Sequence, residues 1–232
     1  MSRSSRLLAA AAAGGLLVAA RGHVARFLRT LDQRSGLFAP HGAAVYDAVA
    51  PFLLRPLYRR AADEAAAAAV AGGTGAIAGV LEIGSGPGEL SIEIARRLPG
   101  SDVVGIDLAE TMIRAAADRA RAAGLDERVR FVLADAARLP LDDDSIDITV
   151  STLSLHHWSD PGAVFAEIGR VLRPGGTALI YDLRPFAYTR HELEVFVAGT
   201  PLEAVPLERA LVALGQLPAF FVRIRLAKPI RT

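Results

Sequence analysis

The sequence predicts an α/β fold in which a parallel sheet is covered by helices on both faces. Three observations carry this. Short apolar runs recur along residues 79–182, stretches of helical period separate them, and Gly or Pro punctuates most junctions. Parallel neighbours need a crossover of a dozen or more residues, which helices of this length supply.

Taken in order, residues 80–83 read as a buried strand that ends in a Gly-rich turn, and 90–98 as a helix closed by Pro99 and Gly100. Residues 103–106 form a second strand ending at Asp107, and 110–123 a helix stopped by Gly124. The third and fourth strands are 129–133 and 146–150. A helix over 161–172 is stopped by Pro174, Gly175 and Gly176, and 177–181 is the fifth strand. Residues 190–198 and 205–214 read as helices and 220–226 as a last strand, which leaves no clear sixth strand. Upstream, the run LLAAAAAGGLLVAA at 7–20 is flanked by Arg3, Arg6, Arg21, Arg26 and Arg29. Val24, Phe27, Leu28 and Leu31 then recur at helical spacing, Gly36 and Pro40 interrupt, and a second helical stretch covers about 43–71. The run 72–75 reads as a linker. The chain thus divides into an apolar and basic N-terminal segment (1–35), a helical lid or linker region (36–75) and a main domain (76–232). No internal repeat is visible.

Composition narrows the function classes. With 52% apolar residues the chain can bury a full core, so global disorder is excluded. The absence of cysteine removes disulfides, thiolate metal sites and cysteine nucleophiles together. Residues His23, His41 and His191 are scattered without metal-ligand spacing, so no metal is expected. A net charge of +1 gives no reason to expect nucleic acid as a partner. The charge is uneven, however. Residues 1–60 hold nine Arg against Asp32 and Asp47, so a basic arm precedes an acidic domain.

The segment VLEIGSGPGEL at 80–90 sits where a strand turns into a helix. Glycines 84, 86 and 88 permit a tight turn and the approach of a ligand to bare backbone, although an ordinary αβ loop would read the same way. A dinucleotide site requires G-x-G-x-x-G, with pyrophosphate on the helix N-terminus. Here Glu89 stands where the last glycine belongs, and its carboxylate would repel a pyrophosphate. Asp107 ends the second strand, where a carboxylate can accept from a ribose diol. That feature is shared by several nucleoside cofactors, and a solvated turn Asp is the plain alternative. Asp135 ends the third strand, where it can accept from an adenine amino group or bond its own backbone. The acids of LPLDDDSID at 139–147 read as a solvated turn.

Five stretches in order, LEIGSGPGEL, VVGIDLAETMI, FVLADAARLPLDDDSID, LSLHHWSDP and VLRPGG, resemble the class I S-adenosylmethionine-dependent methyltransferases. The likeness is to the small-molecule branch that includes ubiquinone/menaquinone-biosynthesis enzymes. It covers about residues 79–182. The resemblance implies a Rossmann-like doubly wound sheet, mostly parallel, with a reversed last strand at its edge over 220–226. It implies S-adenosylmethionine as cofactor and S-adenosylhomocysteine as product. The loop of Gly84, Gly86 and Gly88 would contact the methionyl part and ribose, and Asp107 the ribose hydroxyls. Leu108 and Met112 would flank the adenine, and Asp135 with Ala136 would meet its edge. Glu82 would face the methionyl amine, and Ser151 would lie beside the methionyl group. The partner is then a small, lipophilic acceptor.

A proton leaves when the acceptor is a hydroxyl, an amine or an activated carbon. His156 and His157, just past the fourth strand, are the candidate bases. The plain alternative has one capping the loop and the other packing on Trp158. Tyr46 reads as an aromatic lid or a core residue. Two rival classes stay open: an NAD-type oxidoreductase, and a non-catalytic donor-binding protein. For residues 1–35 the expectation is a cytoplasmic protein held at the inner face of a membrane by the apolar run and its arginines. A signal peptide cleaved after Ala20 and an Ala-rich packed helix are the rivals. The oligomeric state is not legible.

Overall fold

The computed structural model describes residues 54–73, 78–202, 208–213 and 220–230. The N-terminal segment 1–35, the front of the 36–75 region, Tyr46, His23 and His41 lie outside the described residues. The elements are α1 (Arg55–Ala71), β1 (Gly79–Ile83), α2 (Glu89–Arg97), β2 (Asp102–Asp107), α3 (Glu110–Ala122), β3 (Val129–Leu133), β4 (Ile146–Thr152), α4 (Pro161–Val171), β5 (Leu172–Leu183), α5 (Arg190–Val197), β6 (Glu208–Val212) and β7 (Phe221–Ala227). Short 3₁₀ turns at Leu155–His157 and Arg184–Phe186 follow β4 and β5.

One seven-stranded sheet runs in the order β3-β2-β1-β4-β5-β7-β6. The first five strands pair in parallel, and β7 is antiparallel to both β5 and β6. Strand residues alternate between two cores. Val80, Val103, Ile148, Val150 and Leu179 pack with α1, α2 and α3, whereas Leu81, Ile83, Ile106, Ala178 and Ile180 pack with α4 and α5. This is the doubly wound architecture that the sequence predicts.

Four expectations need correction. Residues 208–212 are a strand, not part of a helix over 205–214: Glu, Arg, Ala and Leu favour helix in isolation, but pairing with β7 from Glu208↔Arg225 to Val212↔Phe221 overrides that preference. The reversed strand is therefore not the edge, because β6 lies outside it. Arg173–Gly176 do not simply end a helix. The strand β5 begins at Leu172, and the register slips there from Ile146↔Leu172 to Ile148↔Thr177, so the Pro-Gly-Gly run is a bulge in the strand. The acids of 142–147 are also more than a solvated turn. Asp147 accepts from Gly79 N and Arg173 Nη1, both at 2.7 Å, and Asp144 takes Lys228 Nζ at 2.6 Å.

Candidate active site

The strand order reverses between β1 and β4, so the loops at the carboxyl ends of these two strands diverge and leave a crevice, where open α/β sheets bind ligands. The glycine loop forms its floor. Ser85 N donates to Ile106 O at 2.8 Å and Gly88 N to Ser85 O at 2.9 Å, which folds the loop tightly over β2. Gly88 has φ +85°, and a Cβ there would stand 2.7 Å from the Phe131 ring, so only glycine fits. Gly86 has φ +49° and open space where its Cβ would be, so its backbone is approachable from the crevice.

Asp107 fastens this loop. Its Oδ2 accepts from Gly86 N and its Oδ1 from Ala109 N, both at 2.9 Å. Each carboxylate oxygen keeps a second lone pair, enough for a ribose diol. Leu108 follows it with an exposed side chain, and Met112 is buried on the first turn of α3. Asp135 is exposed and its Oδ1 accepts from Ala137 N at 2.9 Å, a turn-type bond that orients the carboxylate; Ala136 is half-buried beside it.

Glu82 lies inside β1 and is 1% exposed. Ser91, in the first turns of α2, donates its hydroxyl to Glu82 Oε2. Burial in low dielectric pushes the Glu82 carboxyl up to about 8, and the nearby Asp107 charge acts in the same direction. A small cleft is lined by Tyr58, Glu82, Gly84, Ser85, Pro87, Glu89, Leu90 and Thr152. Ser85 Oγ is buried there with no partner among the described residues. A buried orphan hydroxyl, an approachable glycine backbone and a buried carboxyl suit a polar, cationic group, and so fit the methionyl end of S-adenosylmethionine. Ser151 does not face this cleft. Its hydroxyl donates to Ile83 O at 2.9 Å and ties β4 to β1, and the next residue, Thr152, lines the cleft instead.

His156 and His157 separate sharply. His157 is exposed, whereas His156 is 2% exposed and its Nδ1 lies 2.6 Å from Asp182 Oδ1. Asp182, fully buried at the end of β5, also accepts from His156 N at 3.0 Å and Leu183 N at 2.7 Å. The His156 ring stacks on Phe186 with centroids 4.8 Å apart. Trp158 next to them donates its Nε1 to Ser154 Oγ at 2.9 Å, and its ring meets Phe165 edge-on. Sequence reasoning missed Asp182, Ser91, Thr152 and Tyr58. Asp182 carried the same signal as Asp107, a carboxylate closing an apolar strand run. Among the described residues no group of side chains could hold a metal ion, and no helix is long and apolar enough to cross a membrane.

Residues 80–176 match the family model described as a methyltransferase domain. The methyltransferase GfsG of Streptomyces halstedii is 41% identical over 104 residues, which is 45% of this chain and 37% of that protein. The demethylmenaquinone methyltransferase of Thermus thermophilus is 35% identical over 106 residues, 46% of this chain and 47% of the enzyme. The matches therefore span less than half the length of these relatives. Among solved structures, the [4+2]-cyclase SpnF superposes with a TM-score of 0.61 at 19% identity, over 75% of this chain and 82% of that one. The domain match, the order of its motifs and the glycine-loop crevice agree in what this chain is similar to: residues 80–176 match a methyltransferase domain on a fold shared with S-adenosylmethionine-dependent methyltransferases.

Proposed function

We propose that the protein transfers the methyl group of S-adenosylmethionine to a small, lipophilic acceptor. The observation that carries this is the crevice itself: Asp107 locks the glycine loop, Glu89 opens α2 where a pyrophosphate would rest, and Glu82 waits buried at the inner end. The bound donor supplies an electrophilic methyl carbon on its sulfonium. In this reading Asp107 holds the ribose, Leu108 and Met112 the faces of the adenine, Asp135 and Ala136 its edge, and Glu82 the methionyl amine. Thr152 takes the place expected of Ser151. Orientation and exclusion of water then account for most of the rate, and such alignment is worth up to roughly 7–11 kcal/mol. The relatives' names support a small-molecule acceptor; one of them acts on demethylmenaquinone.

His156 serves as the base for a protic acceptor. Asp182 at Nδ1 fixes the tautomer in which Nε2 is the basic nitrogen, the second-partner arrangement by which a carboxylate orients an imidazole. His157, exposed beside it, belongs to the rim of the acceptor mouth. Replacing His156 by Gln should lower kcat by about 10²-fold or more while donor affinity stays within a few-fold; unchanged kcat in a folded variant would leave orientation as the whole mechanism.

A second reading is kept by the cyclase neighbour, since one fold hosts unrelated chemistries. A donor-binding protein without methyl transfer would show S-adenosylhomocysteine binding and no methylated product from any lipophilic quinol, phenol or lipid. Thermal unfolding tests the shared step: S-adenosylhomocysteine at 100-fold over Kd should add about 2.7 kcal/mol, and NADH nothing. Stabilisation by NADH alone would return the protein to the oxidoreductases. Residues 1–35 hold the protein at the inner face of a membrane, a reading supported by the 7–20 apolar run and its flanking arginines. Equal flotation of the full chain and a chain starting at Gly36 on anionic liposomes would remove this part.

A further inference from the structure

We propose that Tyr58 makes the cleft select the cationic donor over its neutral product, so that the site favours release of S-adenosylhomocysteine after transfer. The inference rests on the donor assignment above and adds the residue that reads the donor's charge. Donor and product differ by one methyl group and one positive charge at sulfur. A site that grips only ribose, adenine and the methionyl termini binds both equally, and the product then lingers.

The helix α1 brings Tyr58 to this place for a local reason. Its buried stripe consists of Ala61, Ala62, Ala65 and Ala69, preceded by the two large residues Leu57 and Tyr58. Small side chains let the helix lie close against the sheet, and at its start Leu57 enters the core while Tyr58 reaches the cleft. Tyr58 is 6% exposed and lines the cleft together with Glu82 and Thr152.

The helix is also fastened. Glu64 accepts from Tyr181 Oη of β5 at 2.7 Å, from Arg223 Nη1 of β7 at 2.7 Å and from Arg60 Nε at 2.9 Å. Asp63 takes Arg97 of α2. These bonds reach across two strands and a neighbouring helix, so α1 does not roll away from the sheet without breaking several of them at once.

Apart from Tyr58, the ionisable groups that line the cleft are carboxyl groups. Glu82 and Glu89 contribute carboxyl groups, and neither Lys nor Arg lines it. Arg119 stands behind Glu89, with Nε 3.4 Å from Glu89 Oε1 and Nη1 bonded to Pro87 O. An aromatic ring attracts a cation over its face through its quadrupole, most strongly where water is excluded. In a cleft that also carries two carboxyl groups, the buried Tyr58 ring adds an aromatic face that distinguishes the sulfonium from the neutral thioether.

The test is calorimetric titration of the full chain with S-adenosylmethionine, S-adenosylhomocysteine and 5′-methylthioadenosine, with no acceptor present. The wild-type chain should prefer the methionine form over the homocysteine form. Tyr58→Phe should keep that preference, and Tyr58→Leu should reduce it about tenfold while leaving 5′-methylthioadenosine within about twofold. Graded fluorinated phenylalanines at position 58 keep the ring's shape and drain its negative face, so they should lower the preference stepwise even if the Leu variant fails to fold. Equal affinity of the wild-type chain for both forms overturns the proposal. So does a preference unchanged across the fluorinated series, or an equal loss for all three ligands, which would mark Tyr58 as structural. A wild-type chain that binds none of the three overturns the donor assignment itself.

Discussion

Donor binding should release a proton, and Glu82 should be its source. Burial raises this carboxyl from its ordinary 4.5 to about 8. At pH 7 it is then about nine-tenths protonated in the ligand-free protein. A methionyl ammonium held beside it favours the charged form and pulls the value back down. Binding at pH 7 should therefore expel close to one proton per donor, roughly 0.9 by the same arithmetic. Titration calorimetry in buffers of different ionisation enthalpy measures this directly, because the slope of apparent heat against buffer enthalpy is the proton number. In Glu82→Gln the release at pH 7 should vanish. The same slope in the Gln variant, or none in the wild type at pH 7, would refute the reasoning. The ligand-free protein gives an independent check. Its folded state holds this proton more tightly than the unfolded chain, so the contribution to stability is complete below about pH 4.5 and is lost as pH rises through about 8. The full loss corresponds to about 5 kcal/mol. Between about pH 5 and 8 the Tm of Glu82→Gln should fall less steeply than that of the wild type.

Asp107→Ala removes the acceptor expected to hold two ribose hydroxyls and also frees Gly86 N and Ala109 N, so affinity for S-adenosylmethionine should drop tenfold or more, about 1.5–3 kcal/mol by calorimetry. Gly88→Ala forces a side chain into a left-handed backbone against Phe131 and Ala116; it should cost roughly 2–4 kcal/mol in denaturant unfolding and weaken donor binding through the displaced loop. Lys228→Met should destabilise by roughly 2–4 kcal/mol, because Nζ bonds Asp144 as well as the Gly169 and Leu172 carbonyls at the end of α4, and those groups would keep no donor from this position. Donor affinity should survive that change, since the lysine is remote from the cleft lining.

The alternation of strands and helices through residues 79–182 was legible in the sequence because each element declares itself over a few residues. The run 80–83 is apolar and ends in glycine, and the expected span of β3, 129–133, is the observed one. The glycine loop and Asp107 were legible for the same reason, since the loop's conformation and the carboxylate's place at a strand end are local properties. Partnerships over long separations were not. His156 and Asp182 are 26 residues apart, and Glu64 meets Arg223 across 159 residues. No period or motif encodes which carboxylate will face which base when two strands pack side by side. Ser151 shows the limit at one position: its place at the end of β4 was read correctly, but only the register with β1 turned its hydroxyl onto Ile83 O and left Thr152 to the cleft. Residues 208–212 show it for an element, because Glu-Arg-Ala-Leu-Val has the local preference of a helix and became a strand only where β7 offered a row of unpaired backbone groups. The sequence by itself determined the order of elements through residues 79–182 and the turn of the glycine loop, through short-range sterics and hydrophobic period. The tertiary structure alone decided the place of β7 inside the sheet, the burial that raises Glu82 and the partner that orients His156, because each depends on groups brought together only after the chain has closed on itself.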